Sequence, residues 1–336
     1  MPDELLTELG FPAFRDVSGQ TSVARLYPAG QRCGIYVLGF ADGERYVGQA
    51  VDVTKRYLNH CKTYADLTEL SFKCVPAEEL DAEERRCIHT LEAGGVHLRN
   101  FTHMSVVGGD RPFDEVVTPG EQEAWLQGDP GLQDDEPHVV DESLRRRQRH
   151  KFEKLMTLPH AQEVLTLLGL YLLTTMPFPN RTEQDFWIVS CLPYGVGEYS
   201  VYCRVTVNRQ ENFSVYGNEK GFDVSFHMAM SPLQALVGDD WQQRLEANGY
   251  EVIDHRYDSG GHDQTRVDTF GYEHTLEALT SAETLQAMAV LNLRLVRKGG
   301  NHQPGSHCPQ LVEAAMAAAL QAIQMLEAEV QIDTEG

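Results

Sequence analysis

The sequence has no long apolar run. Its best stretch, Val164 to Met176, is 13 residues long, whereas a membrane-spanning helix needs about 20. The N-terminal segment, MPDELLTELG, is acidic where a signal peptide has a basic start and an apolar core. We therefore expect neither membrane insertion nor secretion. The 42% hydrophobic and 23% charged residues are typical of a packed globular protein.

Cysteine pairs are also absent. The seven cysteines include no CxxC motif, and an odd number leaves one thiol unpaired in any complete disulfide scheme. Reduced thiols are the simplest interpretation, and they indicate a cytoplasmic protein.

Positive charge is scarce. Lys and Arg number 28 against 50 Asp and Glu, so the formal net charge is −22. Such a chain repels polyanions at long range, which argues against a protein that coats nucleic acid through bulk charge. The charge does not exclude a local site that cleaves phosphodiesters, because a hard divalent cation can supply positive charge there.

The length of 336 residues suits about two domains. Strand-like and helix-like patterns alternate over residues 28–107 and predict a small α/β domain. Residues 108–143 are rich in Gly, Pro and, in their second half, acidic residues, which predicts a linker with one short helix at 121–126.

Residues 144–332 predict a second domain of the α+β class. Three or four adjacent strands between residues 186 and 226 favour an antiparallel sheet, and helices are expected at 232–247, 275–297 and 309–330. We expect this domain to select a target, to regulate the first domain, or to bind another copy or another protein.

One basic run is a candidate for phosphate binding, and one polar loop is a candidate for metal binding. Arg145 to Lys151 could dock phosphate, but pairing with the acidic stretch before it, or a solvated helix start, is the interpretation we favour. The loop Gly299 to Cys308 holds two His and one Cys, yet no second ligand cluster stands at zinc-finger spacing, so we expect no metal there.

The chemistry-bearing residues begin with a hairpin. Two strand-like runs, one containing Gly34-Ile35-Tyr36 and the other Tyr46-Val47-Gly48, flank the turn Asp42-Gly43. A suitable register would bring both tyrosines to the same side of the sheet. Tyrosine is also a common strand residue, so the pair alone means little.

Two helices follow in the pattern. Asp52 can cap the first, on which Arg56 and His60 are four residues apart and share a face. On the second, from about residue 77 to 91, Glu84 falls on the apolar stripe. An inward carboxylate must be neutralised, paired or bound to metal. A buried ion pair with Arg56 and a metal site are equally good explanations.

These residues, in this order and spacing and together with Asn100, resemble the GIY-YIG nuclease family over about 70 residues, with Val47 in place of isoleucine. The resemblance implies a small α/β domain with a three-stranded antiparallel sheet flanked by helices, which cleaves phosphodiesters with one divalent ion.

Carried onto this chain, the resemblance also implies roles. Glu84 would bind Mg²⁺ or Mn²⁺, Tyr36 would be the general base or a proton relay, and Tyr46 would position the attacking water. The remaining implied roles are charge stabilisation on the phosphate by Arg56, phosphate contact or proton transfer by His60, and orientation by Asn100.

The function we expect is a metal-dependent endonuclease, acting on DNA rather than RNA, in restriction or defence against foreign DNA. One alternative is a repair or structure-specific endonuclease within a larger complex. Another is a non-cutting nucleic-acid-binding module, against which the presence of Tyr36, Tyr46, Arg56 and Glu84 counts.

Overall fold

The structure is a computed structural model that describes residues 2–100, 102–107, 111–129, 132, 134, 141–196 and 199–335. The chain divides into two compact units, Met1–Gly109 and Asp110–Gly336. Both mix helices with antiparallel strands. Within the described ranges, no helix is long and apolar enough to cross a membrane.

The first unit is built on a small antiparallel sheet. Its elements in chain order are α1 (Pro2–Glu8), β1 (Arg15–Asp16), β2 (Gly34–Phe40), β3 (Arg45–Ala50), α2 (Val53–Thr63), β4 (Leu67–Cys74) and α3 (Leu80–Ala93). The strand order is β1-β4-β2-β3, which makes β3 an edge strand. The sequence predicted three strands here. It missed β1, because a two-residue strand carries no periodic pattern.

The two faces of this sheet are covered by different helices. Ile35, Val37 and Val47 share a buried cluster with residues of α1 and α3. The alternate residues Tyr36 and Leu38 lie in a second cluster with residues of α2. Strand alternation therefore decides which side chains meet α2 and which meet α3.

The second unit is built on a larger sheet. Its elements are α4 (Pro112–Val116), α5 (Pro119–Leu126), α6 (Glu142–Leu155), α7 (Ala161–Thr175), α8 (Pro179–Thr182), β5 (Trp187–Cys191), β6 (Gly195–Val196), β7 (Tyr199–Val207), β8 (Gln210–Asn218), β9 (Gly221–Met228), α9 (Met230–Val237), α10 (Trp241–Ala247), β10 (Glu251–Ile253), β11 (Thr265–Phe270), α11 (Gly271–Ala278), α12 (Ala282–Arg297) and α13 (Pro309–Glu335). The strand order is β10-β11-β9-β8-β7-β5, and β6 also pairs with β7.

Two helices of this unit lie in the segment that the sequence predicted as a linker. On α4, Phe113 is fully buried in the core of the second unit, and so is Val117, which follows the helix. Thr118 caps α5 in a reciprocal capping box with Glu121. Residues 112–126 are thus part of a folded body. Most of the acidic second half of the predicted linker lies outside the described residues.

Several predicted elements of the second unit differ from the observed ones. The helix predicted at 232–247 is two helices, because Gly238 adopts φ +92° between α9 and α10. The helix predicted at 275–297 is likewise divided into α11 and α12. The sequence missed β10 and β11, which complete one side of the sheet.

Candidate nuclease site

Strand register places the two motif tyrosines on one face of the first sheet. Tyr36 on β2 pairs with Gly48 on β3, and Leu38 pairs with Tyr46. Tyr36 and Tyr46 are therefore diagonal neighbours, with ring centroids 6.2 Å apart and planes inclined by 28°. Tyr36 is only 1% exposed, whereas Tyr46 is half-buried and faces a cleft.

Two glycines of the motif leave room that no other residue would. A Cβ on Gly48 would overlap the hydroxyl end of Tyr36 and lie 2.9 Å from Cε1 of Tyr46. A Cβ on Gly34 would overlap the carbonyl of Lys73 on the neighbouring strand β4. The glycines thus permit close approach of backbone and phenol, which explains their place beside the tyrosines.

Helix α2 delivers two further site residues to the Tyr36 hydroxyl. Asp52 caps the helix, and its Oδ1 accepts hydrogen bonds from the backbone N–H groups of Thr54 and Lys55. One and two turns later, Arg56 Nε donates to Tyr36 Oη at 3.2 Å, and His60 Nε2 lies 2.7 Å from the same oxygen. The i, i+4 spacing therefore converges on one atom.

The donors at this oxygen can be assigned. Arg56 can only donate, and the described structure shows no other acceptor for the Tyr36 hydroxyl, so its proton points at Nε2 of His60. Burial, and next the positive charge of Arg56, lower the pKa of His60 from 6.5 to about 4. The imidazole is therefore neutral at pH 7, with its own proton on Nδ1 and Nε2 ready to accept.

Burial acts on the phenol in the opposite sense. It is the largest cause that raises the pKa of Tyr36, the proximity of Tyr46 adds to it, and the hydrogen bond from Arg56 opposes it. A stable phenolate is thus disfavoured. A relay, in which Tyr36 passes its proton to His60 as it takes another, suits this environment better than a free phenolate base.

A cleft of about 410 Å³ opens at the β3 edge of the sheet. Four of the six predicted site residues line it, namely Tyr46, Arg56, Glu84 and Asn100. The other two, Tyr36 and His60, are buried and reach its wall through Arg56 and Tyr46. All six therefore belong to one region.

Glu84 is a half-buried carboxylate on the wall formed by α3. Its neighbours on the predicted apolar stripe, Cys87 and Ile88, are buried in the core. Burial is the main cause that raises the pKa of Glu84; Gln49 and Arg56 act in the other direction. Within the described residues Glu84 forms no ion pair, so the pairing with Arg56 that the sequence left open is not formed.

The adjacent residue Glu83 has a structural role on this helix, because it forms ion pairs. Glu83 pairs with both Lys73 and Arg86. These hydrogen bonds, that from Arg86 first, lower its pKa to about 2. The two glutamates therefore differ in the feature that matters for a metal: Glu83 is neutralised by protein cations, whereas Glu84 faces the cleft.

The side-chain amide of Asn100 is engaged by the backbone of the edge strand β3. Its Oδ1 accepts from the backbone N–H of Val47 at 2.9 Å, and its Nδ2 donates to the carbonyl of Val47 at 2.7 Å. Both outward groups of this edge residue are thereby satisfied. Asn100 is a positioning residue for β3.

Besides Ile88, whose place on the apolar stripe of α3 was predicted, three polar residues line the cleft that sequence reasoning missed, Gln49, Thr102 and His103. Gln49 follows Gly48 directly, and its amide donates to Asp81 on α3. The alternation of β3 could have indicated Gln49, because it places this side chain on the opposite face of the strand from Gly48, which is the face covered by α3 with its Glu84. Residues 102 and 103 carry no periodic signal, since they follow the last element of the unit.

A divalent cation fits this donor set. Among the described residues no cluster of three or more His, Cys, Asp or Glu could hold a metal. Glu84 is a single carboxylate, and Mg²⁺ accepts such a site because it keeps several waters and takes further oxygens from a phosphate. A carboxylate that is half-buried without a protein cation gains from a bound one.

Comparison with family models, with curated proteins and with solved structures gave no match to this chain. The case for its activity therefore depends on the geometry of the site.

The three candidate ligands of the C-terminal loop lie in different surroundings in the structure. His307 is 1% exposed, its Nε2 lies 2.8 Å from Glu183, and its Nδ1 accepts from the backbone N–H of Val189. Cys308 is buried in the core, whereas His302 is exposed. The imidazole of His307 therefore has partners at both nitrogens.

Proposed function

We propose that this protein is a metal-dependent nuclease of the GIY-YIG type, which hydrolyses phosphodiesters of nucleic acid. The observation that carries the proposal is the joint arrangement at one cleft. A hydrogen-bonded set of Tyr36, His60 and Arg56 lies next to Glu84, a half-buried carboxylate that forms no ion pair within 4 Å among the described residues, although the charge of Arg56 acts on it. An acceptor of protons and a place for a cation are what phosphodiester hydrolysis requires.

The protein groups divide the proton transfer among them. Tyr46 lines the cleft and orients the attacking water. Because Tyr36 is buried behind the cleft wall, the proton of that water passes to Tyr36 Oη through one further water, while the phenol proton moves to Nε2 of His60, which lies 2.7 Å from Oη. Since His60 is neutral at pH 7, Nε2 has a lone pair for this proton, but its lowered pKa makes the imidazolium a transient carrier, and the raised pKa of Tyr36 favours return of the proton to the phenol.

Two positive groups would stabilise the negative charge of the phosphate, the guanidinium of Arg56 and a divalent ion. Arg56 uses Nε for Tyr36 and also lines the cleft, where its guanidinium can stabilise negative charge that develops on the phosphate. A divalent ion held by Glu84 would supply Lewis acidity and an acidified water ligand.

DNA is the substrate class that we propose, with Mg²⁺ or Mn²⁺ as the cofactor and restriction or defence as the setting. A net charge of −22 suits an effector that engages its target through a dedicated site and not through general affinity for nucleic acid. A repair enzyme acting on branched or damaged DNA is the main alternative. Cleavage of plain duplex compared with branched duplex separates the two.

The test compares Glu84→Gln with Glu78→Gln. Glu78 is exposed and lies in the turn that precedes α3, so its variant removes the same charge from outside the cleft. The purified wild type and both variants are incubated with plasmid, single-stranded DNA and RNA, with and without Mg²⁺. We expect Mg²⁺-dependent cleavage of DNA by the wild type and by Glu78→Gln, and none by Glu84→Gln.

Thermal unfolding supplies a readout that does not depend on turnover. Mg²⁺ at a hundred times its Kd should stabilise the wild type and Glu78→Gln by about 2.7 kcal/mol, and Glu84→Gln hardly at all. Without Mg²⁺, Glu84→Gln should be the more stable variant, because it removes a charge that burial disfavours. Full cleavage by Glu84→Gln, or equal Mg²⁺ stabilisation of both variants, contradicts the proposal.

A further inference from the structure

Helix α6 concentrates positive charge in an acidic protein. Its 14 residues hold four arginines and two lysines against two glutamates, a formal charge of +4. The whole chain has a net charge of −22. The six cations of α6 are thus more than a fifth of the 28 in the sequence, on one helix of the second unit.

The helix exposes several of these cations along one side, next to its buried face. Leu144, Gln148 and Leu155 are buried at i, i+4 and i+11. Arg147, His150, Lys151 and Lys154 follow each other at i, i+3, i+4 and i+7, and all four are exposed. No carboxylate of α6 falls on this stripe, which we call the α6 basic stripe.

No cation of the stripe forms an ion pair within 4 Å with a described residue, although the charge of Arg147 contributes to lowering the pKa of Asp141. Of the cations on α6, Arg145 forms the one ion pair within 4 Å that involves described residues, with Glu313 of α13 at 2.8 Å. The sequence favoured pairing with the preceding acidic stretch. Asp134 of that stretch accepts from the backbone N–H of Asn180 and lies 3.8 Å from Arg181, whereas Asp135 and Glu136 lie outside the described residues.

The helix is also held in place. Asp141 caps its first turn by accepting from the N–H groups of Ser143 and Leu144. On the buried side, Gln148 donates to the carbonyl of Gly305, and the amide of Gln310 donates to the carbonyl of Arg145. The cations therefore extend from a fixed backbone, which limits the order that a ligand must impose on them.

We propose that the α6 basic stripe is a second nucleic-acid contact, which binds the phosphodiester backbone without reading its sequence. The proposal rests on the nuclease function proposed above. A short row of exposed cations on a rigid helix matches the regular spacing of phosphates, whereas an acidic chain has little else to hold them. The stripe would hold DNA to the second unit while the first unit cuts.

The test measures binding in the absence of cleavage. A fluorescent 30-base-pair duplex is titrated in EDTA with the wild type, with Lys151→Gln/Lys154→Gln, and with the control Arg25→Gln/Lys220→Gln. All four residues are exposed; Arg25 belongs to the first unit, and Lys220 lies in the turn between β8 and β9. Affinity is measured as a function of salt, because each phosphate contact contributes about 0.9 to the slope of log K against log salt.

We expect the α6 variant to lose about two phosphate contacts, which lowers the slope by about 1.8 and weakens binding at least roughly tenfold at 0.1 M salt. The control variant should match the wild type. An α6 variant with wild-type slope and affinity overturns the proposal, as does an equal loss in the control. Unchanged melting temperatures establish that both variants are folded.

The outcome is separable from that of the nuclease proposal. If the wild type cleaves and the α6 variant binds like the wild type, the nuclease stands and the stripe fails. If no variant cleaves but the α6 variant alone loses its salt-dependent binding, the stripe stands and the nuclease fails. Inorganic phosphate that competes at the same concentration as duplex overturns the backbone assignment, because it points to a free-anion site.

Discussion

His60 should remain neutral at pH values where an exposed imidazole is charged. It is 8% exposed, its Nε2 accepts the proton of Tyr36, and Arg56 lies beside it. Burial first and then the charge of Arg56 lower its pKa from 6.5 to about 4. Lowering the pH is therefore the test, and we expect His60 to take up its proton at a lower pH than an exposed histidine does.

The size of the effect follows from that difference. A fall from 6.5 to about 4 corresponds to about 3 kcal/mol between the two protonation states. Since the folded state binds the proton less readily than the unfolded chain, His60 lowers stability as the pH falls from above 6.5 towards 4. At pH 5 the loss relative to pH 8 is about 2 kcal/mol.

NMR of ¹³C,¹⁵N-labelled histidine measures this directly, with the His60→Gln spectrum as the assignment. We expect a midpoint near 4 and the Nδ1–H tautomer at pH 7. In Arg56→Gln the midpoint should rise but stay below 6.5, because burial is the larger cause. A wild-type midpoint at or above 6.5, or an Nε2–H tautomer, refutes the proton assignment and with it the relay.

Two further substitutions test the architecture of the site. Gly48→Ala should cost about 1–3 kcal/mol of unfolding free energy and displace the phenol of Tyr36, since the new Cβ overlaps it. Denaturant unfolding measures the loss of stability, and cleavage rates report the displacement of the phenol. Wild-type activity in this variant contradicts the prediction. Asn100→Ala removes both bonds to Val47 and should cost about 1–3 kcal/mol. Its residual cleavage should exceed that of Glu84→Gln, because Asn100 positions a strand; equal loss in both variants contradicts a positioning role.

Much of the first unit was predictable from local signals. The Asp42-Gly43 turn between two alternating runs predicted the hairpin, and the structure has β2 and β3 there. Asp52 predicted the start of α2, which begins at Val53. Such signals work because caps, turns and alternation depend on residues only a few positions apart.

The second unit shows where local signals fail. The Gly/Pro-rich composition of residues 108–143 predicted a linker with one short helix at 121–126; α5 includes that helix, yet Phe113 and Val117 are fully buried. Two apolar residues in a polar segment do not reveal a core contact, because the partner surface is distant in sequence. Burial of a segment is decided by tertiary packing.

For the site, the sequence by itself determined which side chains could share a face. Spacing put Arg56 and His60 on one side of a helix and Glu84 on an apolar stripe. Folding decided the partners: Arg56 donates to Tyr36 and forms no ion pair with Glu84, and Asn100 bonds the backbone of β3. The reason is physical, since periodicity sets the direction of a side chain within its own element, whereas its hydrogen-bond partner and its desolvation depend on which other element packs against it.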